Sequence, residues 1–192
     1  PYVREARAKG YPSRAAFKLI ELDDKFHFLK GGQKVVDLGA APGGWSQVAT
    51  ERCGANGKAR IVAIDKTPME PHPGVTVIIA DFLQDDTPGL IRDALGGPAD
   101  VVLSDMASPA TGHKGTDHLR VMALAEAALD FAESILRPGG VFIAKVFQGG
   151  SEGGLLCALK HRFKTVKHAK PPASRAESAE VYVVARGFRK TS

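Results

Sequence analysis

Cysteine is scarce in this chain. Cys53 and Cys157 are the only two, they lie far apart, and no Cys-x-x-Cys pair occurs. That excludes a disulfide framework and a cysteine zinc site, and a reducing, cytoplasmic setting is expected. No apolar run approaches the ~20 residues that cross a bilayer, so no membrane partner is expected. No signal-peptide pattern stands at the start. The first residue is Pro1, not Met, which leaves room for residues upstream. The six histidines make no ligand pattern. His113 and His118 share a loop with Gly112, Lys114 and Gly115, but no Cys or His spacing completes a metal site, and no metal is expected. Internal repeats and low-complexity tracts are missing too, and no second domain is visible.

What is present is an ordinary globular composition, 44% hydrophobic and 24% charged over 192 residues. That length supports one domain, residues 1–192, with a real core. A monomer is the expectation. The formal charge of +5 favours a polyanionic partner. Arg4, Arg7, Lys9, Arg14, Lys18 and Lys25 concentrate charge in residues 1–30, which read as a basic helical extension. Tyr11-Pro12-Ser13 interrupts it. Ser13 is the expected N-cap of a helix reaching about Phe26, with Ala16, Phe17, Ile20 and Leu22 toward the core. A solvated helix face would carry the same charges.

The chain is organised around Val35-Val36-Asp37-Leu38-Gly39-Ala40-Ala41-Pro42-Gly43-Gly44-Trp45-Ser46. A strand running through a glycine turn into a helix opens a βαβ unit, whose helix N-terminus binds polar groups of ligands. The dinucleotide fingerprint needs a third glycine at position 41, which is Ala. The P-loop needs Lys at position 45, which is Trp. The turn therefore lacks phosphate chemistry. S-adenosyl-methionine, with an adenosine and a charged amino-acid end but no phosphates, fits it. The bland reading is a turn that only joins strand to helix.

Strands are expected over residues 34–38, 61–65, 75–80, 100–104 and 141–147, separated by helices. The clearest helix takes Asp117 as N-cap, repeats Leu119, Met122, Ala125, Leu129, Ala132 and Leu136 at helical spacing, and stops at Pro138-Gly139-Gly140. A helix over 151–162 and strands over 164–169 and 180–186 follow. The polar link 170–179 is long enough for an antiparallel return and short for a crossover helix. The fold class is α/β, a Rossmann-like doubly wound parallel sheet with one antiparallel strand near its end.

Ligands of such sheets bind outside the carboxyl ends of the strands. Asp37, Asp65, Asp81 and Asp105 fall near such ends. Asp65 sits at the offset from the glycine turn at which an acid meets ribose hydroxyls, and Asp81 is placed to accept from an adenine amine. Each alone would serve as a turn or cap residue. Lys145 interrupts the apolar run Val141-Phe142-Ile143-Ala144-Lys145-Val146-Phe147. A lysine there is paired, functional, or snorkels to water. Glu180 opens the last strand.

Arg14-Ala15-Ala16-Phe17-Lys18-Leu19, the glycine turn with Gln47, Ser104-Asp105-Met106-Ala107, Lys145-Val146-Phe147-Gln148-Gly149, Ser174-Arg175-Ala176 and Glu180-Val181-Tyr182 occur in this order. Together they closely resemble the FtsJ-like ribosomal RNA 2′-O-methyltransferases, specifically the bacterial type acting on a uridine of large-subunit rRNA. The resemblance covers nearly the whole chain. It implies a seven-stranded methyltransferase sheet, S-adenosyl-methionine as cofactor, and ribosomal RNA or the large ribosomal subunit as partner. It implies a catalytic tetrad of Lys18, Asp105, Lys145 and Glu180. It places cofactor contacts at Gly43, Trp45, Asp65, Asp81 and Asp105. Residues 108–115 depart from the family pattern, and Glu177 is an acid competing with Glu180. Within the tetrad, Lys145 is expected to be the base or to position the hydroxyl, with Lys18 pushing its proton off and the two acids holding it on. Basic residues in 1–30 and 160–175 would grip RNA phosphates. The rival readings are a methyltransferase of another RNA, of a small molecule or of a protein on the same fold, and a non-catalytic RNA-binding or ribosome-assembly factor.

Overall fold

The structure is a computed structural model that describes residues 1–54, 57–148 and 153–190. Gly149 of the Lys145 motif, and residues 151 and 152 of the expected sixth helix, lie outside the described residues. The elements in chain order are α1 (Tyr2–Ala8), α2 (Ala15–Phe26), β1 (Lys34–Leu38), α3 (Gly44–Cys53), β2 (Arg60–Asp65), β3 (Val75–Ile79), α4 (Thr87–Leu95), β4 (Ala99–Ser104), α5 (Lys114–Ile135), β5 (Leu136–Phe147), α6 (Gly153–Arg162), β6 (Phe163–Ala169) and β7 (Glu180–Phe188). Seven strands form one sheet in the order β3-β2-β1-β4-β5-β7-β6. β7 runs antiparallel to both β5 and β6, and the other pairs are parallel. The direction of winding reverses between β1 and β4, and the crevice at such a reversal is where ligands of open α/β sheets bind.

Strand periodicity sorts the apolar residues onto two faces. Val36, Leu38, Val102, Phe142, Ala144, Val146, Val181 and Val183 pack under α4, α5 and α6. Val35, Val101, Leu103, Ile143, Tyr182 and Val184 pack under α2 and α3, against Leu19, Leu22, Trp45 and Val48. By the same alternation Lys145 falls on the second face, beside Ile143 and opposite Tyr182 in the β5–β7 ladder.

Helix ends depart from the sequence reading. α2 begins at Ala15 with Arg14 in the cap position, and Ser13 contributes one residue away, its Oγ accepting from the Ala15 N–H at 3.3 Å. α5 begins at Lys114, not after Asp117. His113 is its N-cap, its Nδ1 accepting from the Thr116 N–H at 3.1 Å. Asp117 sits in the first turn and accepts from the Thr111 N–H at 2.9 Å and its hydroxyl at 2.8 Å. These bonds, with burial opposing them, hold its carboxyl below the usual range. Leu119 is exposed, while Met122, Ala125, Leu129 and Ala132 are buried as expected. β5 starts directly after α5, at Leu136, and Pro138-Gly139-Gly140 forms its irregular beginning, where the β4–β5 register shifts. An Arg137–Asp100 ion pair braces that corner. α4 fills the stretch between the third and fourth strands, where a helix was expected without bounds; its signal is Pro at the N-terminus and left-handed Gly96 just past its end. Among the described residues no helix is long and apolar enough to cross a membrane, and no group of three His, Cys, Asp or Glu is placed to hold a metal ion.

Candidate active site

A cavity of about 970 Å³ opens at the carboxyl ends of β1, β2, β3 and β4. Gly39, Ala41 and Pro42 of the β1–α3 turn form one wall; Asp65, Asp81 and Asp105 each stand at the end of a different strand on the others. Ile64, Phe82, Met106 and Leu124 supply apolar surface. Gly39 has φ +73°, and a Cβ there would lie 2.9 Å from the Met106 backbone, so glycine is required for the turn to close on β4. Asp65 ties the wall together. Its Oδ2 accepts from the Ala41 N–H and its Oδ1 from the Thr67 N–H, both at 2.9 Å. Each oxygen keeps a second lone pair for a ligand hydroxyl. Asp81 Oδ1 accepts from the Leu83 N–H at 3.0 Å, an Asx turn that leaves Oδ2 without a hydrogen bond among the described residues.

The other expected cofactor residues lie off this wall. Trp45 is buried, donates its indole N–H to the Ala15 carbonyl at 2.9 Å, and packs against the Tyr182 ring at 5.5 Å. Its donor is committed to joining α3 to α2. Gly43 is the left-handed N-cap of α3, with φ +116°. Neither lines the cavity. Asp37 also differs from the other strand-end acids. It is fully buried and accepts from the Ser46 hydroxyl at 2.7 Å, bridging β1 to α3, while its Oδ1 has no hydrogen-bond partner among the described residues. Burial pushes its carboxyl up to about 7, with the Ser46 bond opposing and Asp105 and Asp65 adding to the rise.

Asp105 joins the cavity to a cluster of charge behind it. Its Oδ1 accepts from the Tyr182 hydroxyl at 2.6 Å and lies 3.2 Å from Lys145 Nζ. Lys145 Nζ is also 3.7 Å from Glu180 Oε1. The Lys145 side chain is 8% exposed. Burial pushes its pKa down, but the Asp105 and Glu180 carboxylates outweigh burial and the net direction is up. Lys145 is therefore charged in this arrangement. Burial and the same acids drive the Tyr182 hydroxyl well above its ordinary value, so it stays a donor. Lys18 is half-buried on α2, one turn after Ala15, and makes no hydrogen bond or ion pair among the described residues. The expected proton-expelling contact from Lys18 to Lys145 is absent from the charges that act most on Lys145, which are both carboxylates.

The cavity is walled by strand-end acids and has a buried Lys between two carboxylates beside it, so it can hold a polar ligand next to groups that donate and accept protons. Residues 11–188 match the family described as FtsJ-like methyltransferase. The chain belongs to the FtsJ-like methyltransferases. It is 60% identical over 195 residues to ribosomal RNA large subunit methyltransferase E of Paramagnetospirillum magneticum, spanning 100% of this chain and 80% of that one. It is 57% identical over 189 residues to the protein of the same name from Rhizorhabdus wittichii, spanning 98% and 81%. A solved Plasmodium falciparum structure described as a ribosomal RNA methyltransferase superposes with a TM-score of 0.84 at 36% identity, spanning 94% of this chain and 100% of that one. A solved structure from Streptococcus thermophilus, described only as a candidate hemolysin, superposes with a TM-score of 0.64 at 16% identity, spanning 94% of this chain and 68% of that one, which shows the fold alone.

In this FtsJ-like methyltransferase, then, the structure brings Asp105 and Glu180 within 3.2 and 3.7 Å of Lys145 and sets Lys18 on the helix covering the same face. Tyr182 belongs with them and was not among the expected site residues. Its signal was present: in an alternating strand Tyr182 shares a face with Glu180, two residues before it.

Proposed function

We propose that this methyltransferase transfers a methyl group from S-adenosyl-methionine to the 2′-hydroxyl of a uridine ribose in large-subunit ribosomal RNA. The observation that carries the reading is the buried Lys145 held between Asp105 and Glu180, with Asp105 shared between that cluster and the cavity wall. The cavity residues fit the cofactor's chemistry. Asp65 and Asp81 offer acceptors for ribose hydroxyls and an amine, the apolar walls suit an adenine, and Gly39 to Trp45 offers no phosphate-binding lysine. Bound there, the cofactor supplies an electrophilic methyl on a positively charged sulfur, with a neutral thioether as leaving group.

The protein's own task is alignment and proton removal. A charged Lys145 cannot accept a proton, so it acts as a donor that holds the hydroxyl oxygen in place. Once the new oxygen–carbon bond is forming, the hydroxyl proton becomes strongly acidic and a carboxylate suffices to take it. Asp105 Oδ1 already accepts from Tyr182 and Lys145, whereas Glu180 has only the longer contact to Lys145, so Glu180 is the acceptor we assign. Tyr182 keeps Asp105 oriented, and Lys18 stands on α2, the helix packed over the same face of the sheet. Exposed Arg4 and Arg7 would grip RNA phosphates. An RNA substrate of this kind implies action in the cytoplasm. The test is a single-turnover assay with labelled cofactor on free large-subunit rRNA and on assembled subunits, with the product mapped by mass spectrometry. A methyl on a uridine 2′-oxygen is expected; no transfer to any RNA or particle overturns the reading.

A further inference from the structure

Arg14 belongs to the basic N-terminal stretch, yet its guanidinium is turned inward. Its Nη2 donates to the Ala173 carbonyl at 2.6 Å. Seven residues on along α2, Glu21 Oε1 accepts from the N–H of the same residue, Ala173, at 2.7 Å. One loop residue is thus gripped at both its N–H and its C=O from one helix face. Tyr2 closes the ring, its hydroxyl donating to Glu21 Oε2 at 3.3 Å and its ring lying 5.4 Å from the Arg14 guanidinium. Ala173 itself is fully buried, in a small cluster with Ala6 and Phe17.

The gripped loop leads straight to Glu180. It joins β6 to β7, and its far end is pinned again. Lys170 Nζ donates to the Ser178 and Glu180 carbonyls at 2.5 and 2.9 Å, and the Gln148 N–H donates to the Ala179 carbonyl at 3.0 Å. Among the described residues the Glu180 carboxylate holds only the 3.7 Å contact to Lys145, so small loop displacements are felt directly in that distance.

We propose that Arg14 and Glu21 are positioning residues, which hold the β6–β7 loop on α2 and so set Glu180 against Lys145. Arg14 is then a structural arm of the reacting centre rather than a phosphate grip. This rests on the methyl-transfer reading above, since Glu180 matters only if Lys145 and Glu180 act on the hydroxyl.

The test measures the single-turnover rate at saturating cofactor and RNA, the KM for RNA, and cofactor affinity by calorimetry, at a temperature well below unfolding. Wild type and Lys145→Ala come first: a silent wild type overturns the methyl-transfer reading and this proposal with it, whereas an active wild type leaves the variants below to test the positioning role alone. Glu21→Leu and Arg14→Met are each expected to lower the saturated rate about 10- to 100-fold, the scale of a small misplacement, with KM and cofactor affinity held within about threefold. The double variant should fall no further than either single one, because both act through Ala173. Glu21→Gln keeps an acceptor for the Ala173 N–H and should retain most of the rate. If Glu21→Leu unfolds, Lys170→Met, which releases the exposed far end of the same loop, should reproduce the loss of rate at unchanged KM. Variants that all react at the wild-type rate overturn the proposal. So does an Arg14→Met that raises only KM and reduces the salt slope of RNA binding by about 1, the mark of a phosphate contact.

Discussion

Tyr182 and Lys145 face each other across the β5–β7 ladder and converge on a single oxygen, Asp105 Oδ1, at 2.6 and 3.2 Å. Asp105 is thereby oriented and placed at the junction between the cavity and the buried lysine. Removing any one partner leaves another buried polar group without its complement, which is the costly case in a site of this kind.

Lys145→Ala removes the cation that holds the hydroxyl. The single-turnover rate is expected to fall about 10²–10⁴-fold. Cofactor affinity should change little, because Asp65, Asp81 and the Gly39 turn are untouched. Transfer at the wild-type rate would remove Lys145 from the reaction.

Asp81→Ala deletes an acceptor from the cavity wall. It should weaken S-adenosyl-methionine binding by about 1.5–3 kcal/mol if the acid meets a ligand donor. Trp45→Phe should instead cost stability, through loss of the bond to the Ala15 carbonyl, and leave affinity close to wild type. Calorimetry and thermal melts on the two variants check both. Reversed outcomes would put the cofactor on α3 and not in the cavity.

Asp37 makes stability depend on pH in a defined direction. Its carboxyl is raised from 3.8 to about 7 in the fold, so the folded state favours the protonated acid. That contribution is fully present below about pH 4 and is lost as pH rises to about 7. Asp37→Asn cannot ionise. Apart from a constant offset for its own amide, its melting temperature should gain on wild type between pH 4 and pH 7, by an amount worth at most about 4 kcal/mol. Parallel melting curves across that range would mean that Asp37 is not a buried neutral acid.

Arg4→Glu together with Arg7→Glu should weaken RNA binding and lower the slope of affinity against salt, without touching cofactor affinity. Filter binding at several salt concentrations gives the slope. A slope equal to wild type would place the phosphate contacts elsewhere on the molecule.

Local pattern was enough to find the strands, the glycine turn, the antiparallel return and the oddity of a lysine in Val141–Phe147, because short apolar runs and their punctuation act within a few residues. The motif order carried the family. What the strand ends face was another matter. Asp37, Asp65, Asp81 and Asp105 look alike in one dimension, yet Asp37 points into the core at Ser46 and the other three stand on the cavity wall. That division depends on which side of each strand is covered by a helix, and only the assembled sheet sets it. The burial of Trp45 and the inward turn of Arg14 were likewise decided by contacts between distant segments. So was the charge on Lys145. Sequence placed a titratable group in an apolar strand, but its proton is governed by the distances to Asp105 and Glu180, which come from β4 and β7 and meet Lys145 only in the folded chain.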